Sequence, residues 1–262
     1  MIAAMSSIRW LRFTNAGTSG FGTLEGDAVR VHQGELFGVH EPTDELIPIA
    51  GLAWETPCAP TKMIALLNNF HAALQKSGKA VPADPLFFLK APNTFCAHGA
   101  VIRAPRSYTG RVLYEGELGV VIGKAGRDIP LEAAADHIFG YTCVNDVTAF
   151  DLFAATPDHE QWTRAKGFDT FGPFGPVIAT GLDPAGLTVR TSVNGRERQS
   201  YPVADMVFSP AQLVALISRD ITLVAGDIIS CGTSLGVGPL KPGTTVEVTI
   251  DGIGTLTNRY AE

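Results

Sequence analysis

The chain has 262 residues, 45% of them hydrophobic and 18% charged, with a formal net charge of −6. This composition excludes a disordered chain, and the acidic balance excludes a nucleic-acid surface, so small molecules are the expected partners. Four scattered cysteines without a C-x-x-C pair, no run of 18 apolar residues and no signal-peptide pattern favour a cytoplasmic protein without membrane contact.

The N-terminal part of the sequence is predicted to be rich in β-structure. Residues 8–50 contain short apolar stretches separated by glycines, which is typical of hairpins, and we assign a small β-rich domain to residues 1–55. Two proline-containing stretches, EPTDELIPI and WETPCAPTK, are predicted to form a linker. A larger domain is then expected over residues 60–262.

The larger domain is predicted to consist mainly of strands. It opens with KMIALLNNFHAALQKSG, in which a strand runs into a helix that stops at Gly78. Apolar and β-branched runs recur from Leu86 onward, interrupted by helices predicted over residues 131–139 and in PAQLVALISRD. The dipeptide Asn194-Gly195 predicts a tight hairpin. The fold class is therefore α+β, with few helices.

The stretch YEGELGVVI at residues 114–122 combines an apolar strand pattern with two acids. In an extended chain Glu115 and Glu117 would point to one side, and Leu118 and Val120 to the other. A half-exposed strand with a solvated polar face would give the same pattern. Other polar side chains on the face that carries Glu115 and Glu117 would favour a functional site, and their absence would favour a solvated strand.

A third acid, Asp146, follows the apolar run in GYTCVNDV. Capping is the ordinary role of such a residue. If the predicted helix returns the chain beside the first strand, however, Asp146 joins Glu115 and Glu117, and three like charges in an apolar neighbourhood require a cation. Oxygen ligands without His or Cys favour Mg²⁺ or Mn²⁺, with about half of the octahedral positions left for water and substrate.

Two further stretches carry residue types suited to binding an anion. Lys166 lies in a loop-like run before an aromatic and glycine-proline segment, where its ammonium could oppose an oxyanion, although lysines are usually solvated. In CGTSLGVG, Gly232 allows close backbone approach and Thr233 offers a hydroxyl. Glycine-rich turns more often simply join strands.

Together these segments resemble the fumarylacetoacetate hydrolase (FAH) superfamily over roughly residues 60–260, with YEGELGVVIG, GYTCVNDVTAFD, KGFDTFGPFGP and GTSLGVG in the family's order. The resemblance is to members of the 2-hydroxyhepta-2,4-diene-1,7-dioate isomerase and acylpyruvase type. It implies a mixed β-sandwich roll with a variable N-terminal domain, a homodimer, and a role such as aromatic catabolism. It also implies that Glu115, Glu117 and Asp146 are ligands of Mg²⁺ or Mn²⁺, Lys166 is the active-site lysine and Thr233 contacts the substrate carboxylate.

Two departures from the family pattern concern the substrate pocket and water activation. Family members carry A-R-D-x-Q after N-D-x-T, with the Arg and Gln reaching the substrate, whereas this chain places Phe150 and Phe153 there. Members that activate water carry N-Y-x-x-H-x-x-E, whereas this chain keeps His71 and has Leu74 in place of the acid. We therefore predict a less polar substrate pocket and keep His71 as a candidate catalytic residue without its acidic partner.

The predicted function is that of a divalent-metal-dependent enzyme acting on a short 2-oxo or 2,4-dioxo acid through a metal-chelated enolate. Isomerisation, tautomerisation or decarboxylation is preferred, because these reactions need no activated water. Carbon-carbon bond hydrolysis of an acylpyruvate is one alternative. A catalytically degenerate metal-binding scaffold is another, because of the changes at Phe150, Phe153 and Leu74.

Overall fold

A computed structural model describes residues 7–153, 155–156 and 158–262. The first six residues of the predicted N-terminal domain therefore lie outside the described part. Among the helices that are described, none has the length and apolar character needed to cross a bilayer.

Strands dominate the described residues, and most of them are short. Their bounds are β1 (Ile8–Asn15), β2 (Thr18–Glu25), β3 (Ala28–Gly34), β4 (His40–Pro48), β5 (Ala53–Trp54), β6 (Met63–Leu67), β7 (Leu86–Lys90), β8 (Phe95–Cys96), β9 (Val101–Arg103), β10 (Val112–Tyr114), β11 (Gly116–Ile122), β12 (Ile138–Asn145), β13 (Thr148–Ala149), β14 (Gly172–Thr180), β15 (Thr188–Val193), β16 (Arg196–Pro202), β17 (Ile228–Ser230), β18 (Gly238–Leu240), β19 (Thr245–Ile250) and β20 (Gly254–Ala261).

The helices of the same residues connect these strands. The α-helices are α1 (His71–Ser77), α2 (Leu131–Ala134), α3 (Phe150–Phe153), α4 (Trp162–Lys166) and α5 (Pro210–Asp220). As predicted, α1 ends at Gly78, which adopts the left-handed φ of 66° that glycine accepts without strain. The longest helix, α5, begins with a capping box between Ser209 and Gln212.

The strands form three sheets. The largest runs in the order β4-β3-β2-β1-β14-β12-β11-β17-β6-β7, with β5 added beside β1 and β8 beside β14. A three-stranded sheet runs β13-β10-β18, and a five-stranded sheet runs β16-β15-β19-β20-β9. Because β1 pairs with β14, the N-terminal strands continue the sheet of the larger region. The division into domains at residues 55–60 stays a prediction.

The main hydrophobic core lies between the large sheet and the five-stranded sheet. Leu118 and Val120 of β11 share one buried cluster with Val248 and Ile250 of β19. On the other face of β11, Val121 belongs to a second cluster, so this strand is buried on both faces. The layered, mixed β-architecture with few helices confirms the predicted fold class.

Two local predictions were wrong. The stretch EPTDELIPI is strand β4 rather than linker, because it pairs with β3 along the edge of the large sheet, where its prolines are tolerated. The helix predicted over residues 131–139 ends earlier. Its last residues, Ile138 and Phe139, begin β12, because apolar β-branched and aromatic side chains are accommodated well between the two neighbouring strands.

Candidate active site

The two glutamates are separated by a glycine because the chain there is pressed against a second sheet. Glu115 lies between β10 and β11, which belong to different sheets, and Glu117 is the second residue of β11. A Cβ atom on Gly116 would lie 2.0 Å from Thr191 Oγ1 of β15. The Gly116 amide donates to Gln199 Oε1 at 3.0 Å. A larger residue would therefore push the strand away and separate the two carboxylates.

Strand pairing brings the third acid to the same place. In the antiparallel register of β11 and β12, Gly116 faces Asn145, so Asp146 comes directly beside the start of β11. The Asp146 amide donates to Glu115 O at 2.9 Å, and the Glu115 amide donates to Asn145 Oδ1 at 3.0 Å. Carboxylate oxygens of Glu115, Glu117 and Asp146 then lie within 4.8 Å of one another. Glu117 and Asp146 are fully buried.

Two buried lysines neutralise part of this charge. Lys166, at the end of α4 rather than in a loop, places Nζ 2.5 Å from Asp146 Oδ2 and 3.0 Å from Glu115 Oε1. Lys90, at the end of β7, donates to Asp146 Oδ1 at 2.6 Å and to the carbonyl oxygen of Lys166 at 2.7 Å. Sequence reasoning identified Lys166 but missed Lys90. The available signal was a lysine closing the apolar strand LFFLK, which also fits a solvated strand end.

The lysines and acids shift one another's protonation equilibria. Burial, reinforced by the charges of Asp146 and Glu115, raises the pKa of Glu117 well above its usual range. Burial would also raise the pKa of Asp146, but the ammonium groups of Lys166 and Lys90 outweigh it and the pKa is lowered. Burial would lower the pKa of Lys166, yet Asp146 and Glu115 raise it. Asp146 and Lys166 therefore form a stable ion pair, while Glu117 needs a further positive charge to stay ionised.

A divalent cation fits these residues. Glu117 Oε2 accepts hydrogen bonds from Ser230 Oγ and, at 2.9 Å, from the Gly232 amide, whereas the buried Oε1 has no hydrogen-bond partner among the described residues. A buried carboxylate oxygen without a donor is costly unless a cation binds it. Asp146 uses one lone pair of each oxygen for the lysines and keeps a second. The three carboxylates thus form an all-oxygen donor set suited to Mg²⁺ or Mn²⁺.

The glycine-rich segment after β17 supports this cluster. Gly232 has a left-handed φ of 87°, which aims its amide at Glu117. The Thr233 hydroxyl donates to Gly116 O at 3.0 Å and accepts from Gln199 Nε2 at 2.9 Å. Both residues therefore hold the start of β11 in position. Their predicted contacts with a substrate stay predictions.

The aromatic residues at the family's polar positions lie on α3. Phe150 is 43% exposed, and the guanidinium carbon of Arg111 lies 4.6 Å above its ring centre. Phe153 is half-buried, and its ring centre lies 3.9 Å from that of Trp162 in an edge-to-face contact. The role of Phe150 and Phe153 in substrate binding stays a prediction.

His71 and Leu74 lie three residues apart on the short helix α1, at positions that neighbour each other on its surface. His71 is its first residue and is exposed, whereas Leu74 is only 2% exposed and is packed into the protein. Asn69 lies two residues before α1, and its Nδ2 donates a hydrogen bond to the carbonyl oxygen of Cys231 at 2.9 Å. Cys231 directly precedes Gly232. Helix α1 is thereby tied to the segment that supports Glu117.

The fold and the buried carboxylate cluster define a class of proteins. The sequence pattern described as fumarylacetoacetate (FAA) hydrolase C-terminal matches residues 62–261, so the chain belongs to the fumarylacetoacetate hydrolase family. This confirms the resemblance found in the sequence. Residues 8–57 match a second pattern, described as Rv2993c-like, N-terminal.

Relatives of this chain include enzymes that act on oxo acids. Oxaloacetate tautomerase YisK of Bacillus subtilis is 39% identical over 254 residues, covering 90% of this chain and 83% of that protein. The mitochondrial oxaloacetate decarboxylase of Dictyostelium discoideum is 36% identical over 206 residues, covering 77% and 93%. The crystal structure of 2-hydroxyhepta-2,4-diene-1,7-dioate isomerase from Mycobacterium marinum superposes with a TM-score of 0.88 at 37% identity, covering 97% and 98%.

Removing one acid is expected to abolish cation binding. Glu117→Gln keeps the size of the side chain but removes the charge of the carboxylate whose Oε1 has no other partner in the described structure. Titration calorimetry with Mg²⁺ or Mn²⁺ should detect binding to the wild type and none to this variant. The wild type should also gain about 2.7 kcal/mol of stability when the cation is present at 100 times its Kd.

The matched control is Glu132→Gln, which makes the same change at an exposed position on α2. This control should bind the cation as the wild type does. Binding of wild-type strength to Glu117→Gln and to Asp146→Ala would place the cation elsewhere.

Proposed function

We propose that this protein is a divalent-metal-dependent enzyme that interconverts the keto and enol forms of a short 2-oxo acid or decarboxylates it. The observation that carries this proposal is the buried cluster of Glu115, Glu117 and Asp146 beside the ammonium of Lys166. The names of the relatives, which include an oxaloacetate tautomerase and an oxaloacetate decarboxylase, support it.

The residues have separate roles in this proposal. Glu115, Glu117 and Asp146 would hold Mg²⁺ or Mn²⁺, which when bound supplies Lewis acidity to the oxygens of a 2-oxo acid. Lys166 keeps a fixed positive charge where negative charge develops on the substrate oxygen. His71, exposed at the start of α1, moves a proton between substrate and solvent. The substrate contacts are assigned to Gly232, Thr233, Phe150 and Phe153.

Tautomerisation and decarboxylation are preferred to hydrolysis because of Leu74. In tautomerisation a proton leaves the carbon next to the keto group and a proton is added to its oxygen. In decarboxylation the bond between carbon 3 and its carboxyl group breaks, CO₂ leaves, the electron pair stays behind as the enolate, and a proton is then added to carbon 3. Neither reaction requires a water molecule to be deprotonated. Hydrolysis requires such a base and a group to orient it, and the buried Leu74 offers His71 no carboxylate.

The test is an activity assay on oxaloacetate with Mg²⁺ or Mn²⁺. We expect faster exchange between enol and keto forms, followed by ultraviolet absorbance, or faster formation of pyruvate and CO₂, and no activity after chelation. Glu117→Gln serves as the inactive comparison, and Glu132→Gln as the active one. Rapid cleavage of an acylpyruvate, without either reaction on oxaloacetate, would contradict the proposal in favour of hydrolysis.

A further inference from the structure

A cavity of about 590 Å³ lies between the end of β6, the start of β7, α3 and α4. This volume is within the usual range of small-molecule sites, about 300–1,000 Å³. Its walls include Leu67, Asn68, Leu86, Phe87, Phe153 and Trp162.

The cavity shares its walls with the elements that carry the carboxylate cluster. The Trp162 ring stacks on Phe88 with ring centres 5.3 Å apart, and Lys166 Nζ lies 5.3 Å from the centre of the same Phe88 ring. On the other side, Asn68 precedes Asn69, which is bonded to the segment supporting Glu117. One aromatic ring therefore separates the wall of the cavity from the Lys166 ammonium.

The chemistry of the walls favours an apolar occupant. Phe153 and Trp162 meet edge to face, and the Trp162 indole N–H is already donated to Glu160 Oε2 at 2.8 Å. The indole therefore presents ring surface rather than a free donor. Lys79 and Glu160, which are exposed residues of the lining, have opposite charges. The two charges offset one another, so a second carboxylate placed against the aromatic rings would lose its hydration without a net electrostatic gain. An aryl ring in the same place would gain apolar burial and edge-to-face contacts.

We propose that this cavity receives the aryl or alkyl substituent of the substrate, so that the substrate class is a 2-oxo acid with an apolar group on its third carbon. This inference rests on the proposed function for the position of the oxo-acid end. The other end of the substrate is assigned to the cavity wall formed by Phe153, Trp162, Phe87 and Leu86.

The test compares phenylpyruvate with pyruvate and oxaloacetate. Titration calorimetry in Mg²⁺ should show phenylpyruvate binding at least about tenfold more tightly than either, the size of effect expected for an apolar group in an apolar pocket. Phe153→Gln should reduce this preference about tenfold. Leu86→Gln, at a 44% exposed position of the lining, should reduce it as well and provides a variant whose folding is not in question.

The matched control is Leu89→Gln on the same strand, at a 48% exposed position that does not line the cavity. It should leave the preference unchanged. Equal affinity for the three acids, tighter binding of oxaloacetate, or an unchanged preference in Phe153→Gln and Leu86→Gln would overturn the inference. Enol–keto exchange of phenylpyruvate is measured in parallel. If the binding pattern holds but neither phenylpyruvate nor oxaloacetate is turned over, the proposed function is wrong and the assignment of the cavity is supported.

Discussion

Replacement of Lys166 by methionine is expected to lower kcat for the proposed reaction about 10²- to 10³-fold, the usual cost of losing one electrostatic partner of the transition state. The Lys166 ammonium lies 2.5 Å from Asp146 Oδ2 and 3.0 Å from Glu115 Oε1, so its charge is held beside the candidate cation ligands. Methionine keeps the apolar stem and removes the charge. Enol–keto exchange of oxaloacetate at saturating Mg²⁺ measures the effect.

The control for this variant is Lys124→Met, which removes an exposed lysine. Its kcat should equal that of the wild type. Calorimetry should show that Lys166→Met binds Mg²⁺ at least as tightly as the wild type, because the carboxylates lose a competing positive charge. If the Lys166→Met protein is folded and its kcat is unchanged, the proposed electrostatic role of Lys166 is wrong.

Replacement of Lys90 by methionine is expected to lower the free energy of unfolding by about 3–5 kcal/mol, the typical cost of removing one partner from a buried ion pair. The side chains of Lys90 and Asp146 are 0% and 1% exposed, so neither can exchange its partner for water. The variant also loses the hydrogen bond to the carbonyl oxygen of Lys166. Urea denaturation with a chelator present measures the change without a contribution from bound cation.

A double-mutant cycle distinguishes the ion pair from a packing effect. Lys90→Met combined with Asp146→Asn should cost less than the sum of the two single changes, because each single change leaves a buried charge with one partner fewer. Lys241→Met, at an exposed position, should leave stability unchanged. A loss of less than about 0.5 kcal/mol in Lys90→Met would mean that the pair is not needed for stability.

Of the two buried lysines beside the carboxylate cluster, the sequence predicted Lys166 as a site residue but not Lys90. Lys166 was identified because it lies in a motif of the family, although its helix was not foreseen. Lys90 was missed because an apolar strand ending in lysine is common at protein surfaces. Its partners, Asp146 after β12 and Lys166 on α4, lie 56 and 76 residues away in the chain, so they meet Lys90 only through tertiary packing.

Several local elements of the fold can be predicted from neighbouring residues alone. Alternation in residues 116–122, the glycine after α1 and the Asn194-Gly195 turn each depend on neighbours within a few residues, and each predicted its element correctly. The family motifs also identified the three acids that the structure places within 4.8 Å of one another.

Which face of each element is covered, and by which partner, depends on contacts between residues that are distant in the chain. β4 is a strand because β3 pairs with it, and Gly116 is required because Thr191 of another sheet approaches to where a Cβ atom would lie. The burial that shifts the protonation of Glu117 and Asp146 likewise depends on residues distant in the chain. Such contacts leave no periodic pattern in the sequence, because hydrophobic periodicity records which side of an element is buried and not which partner buries it.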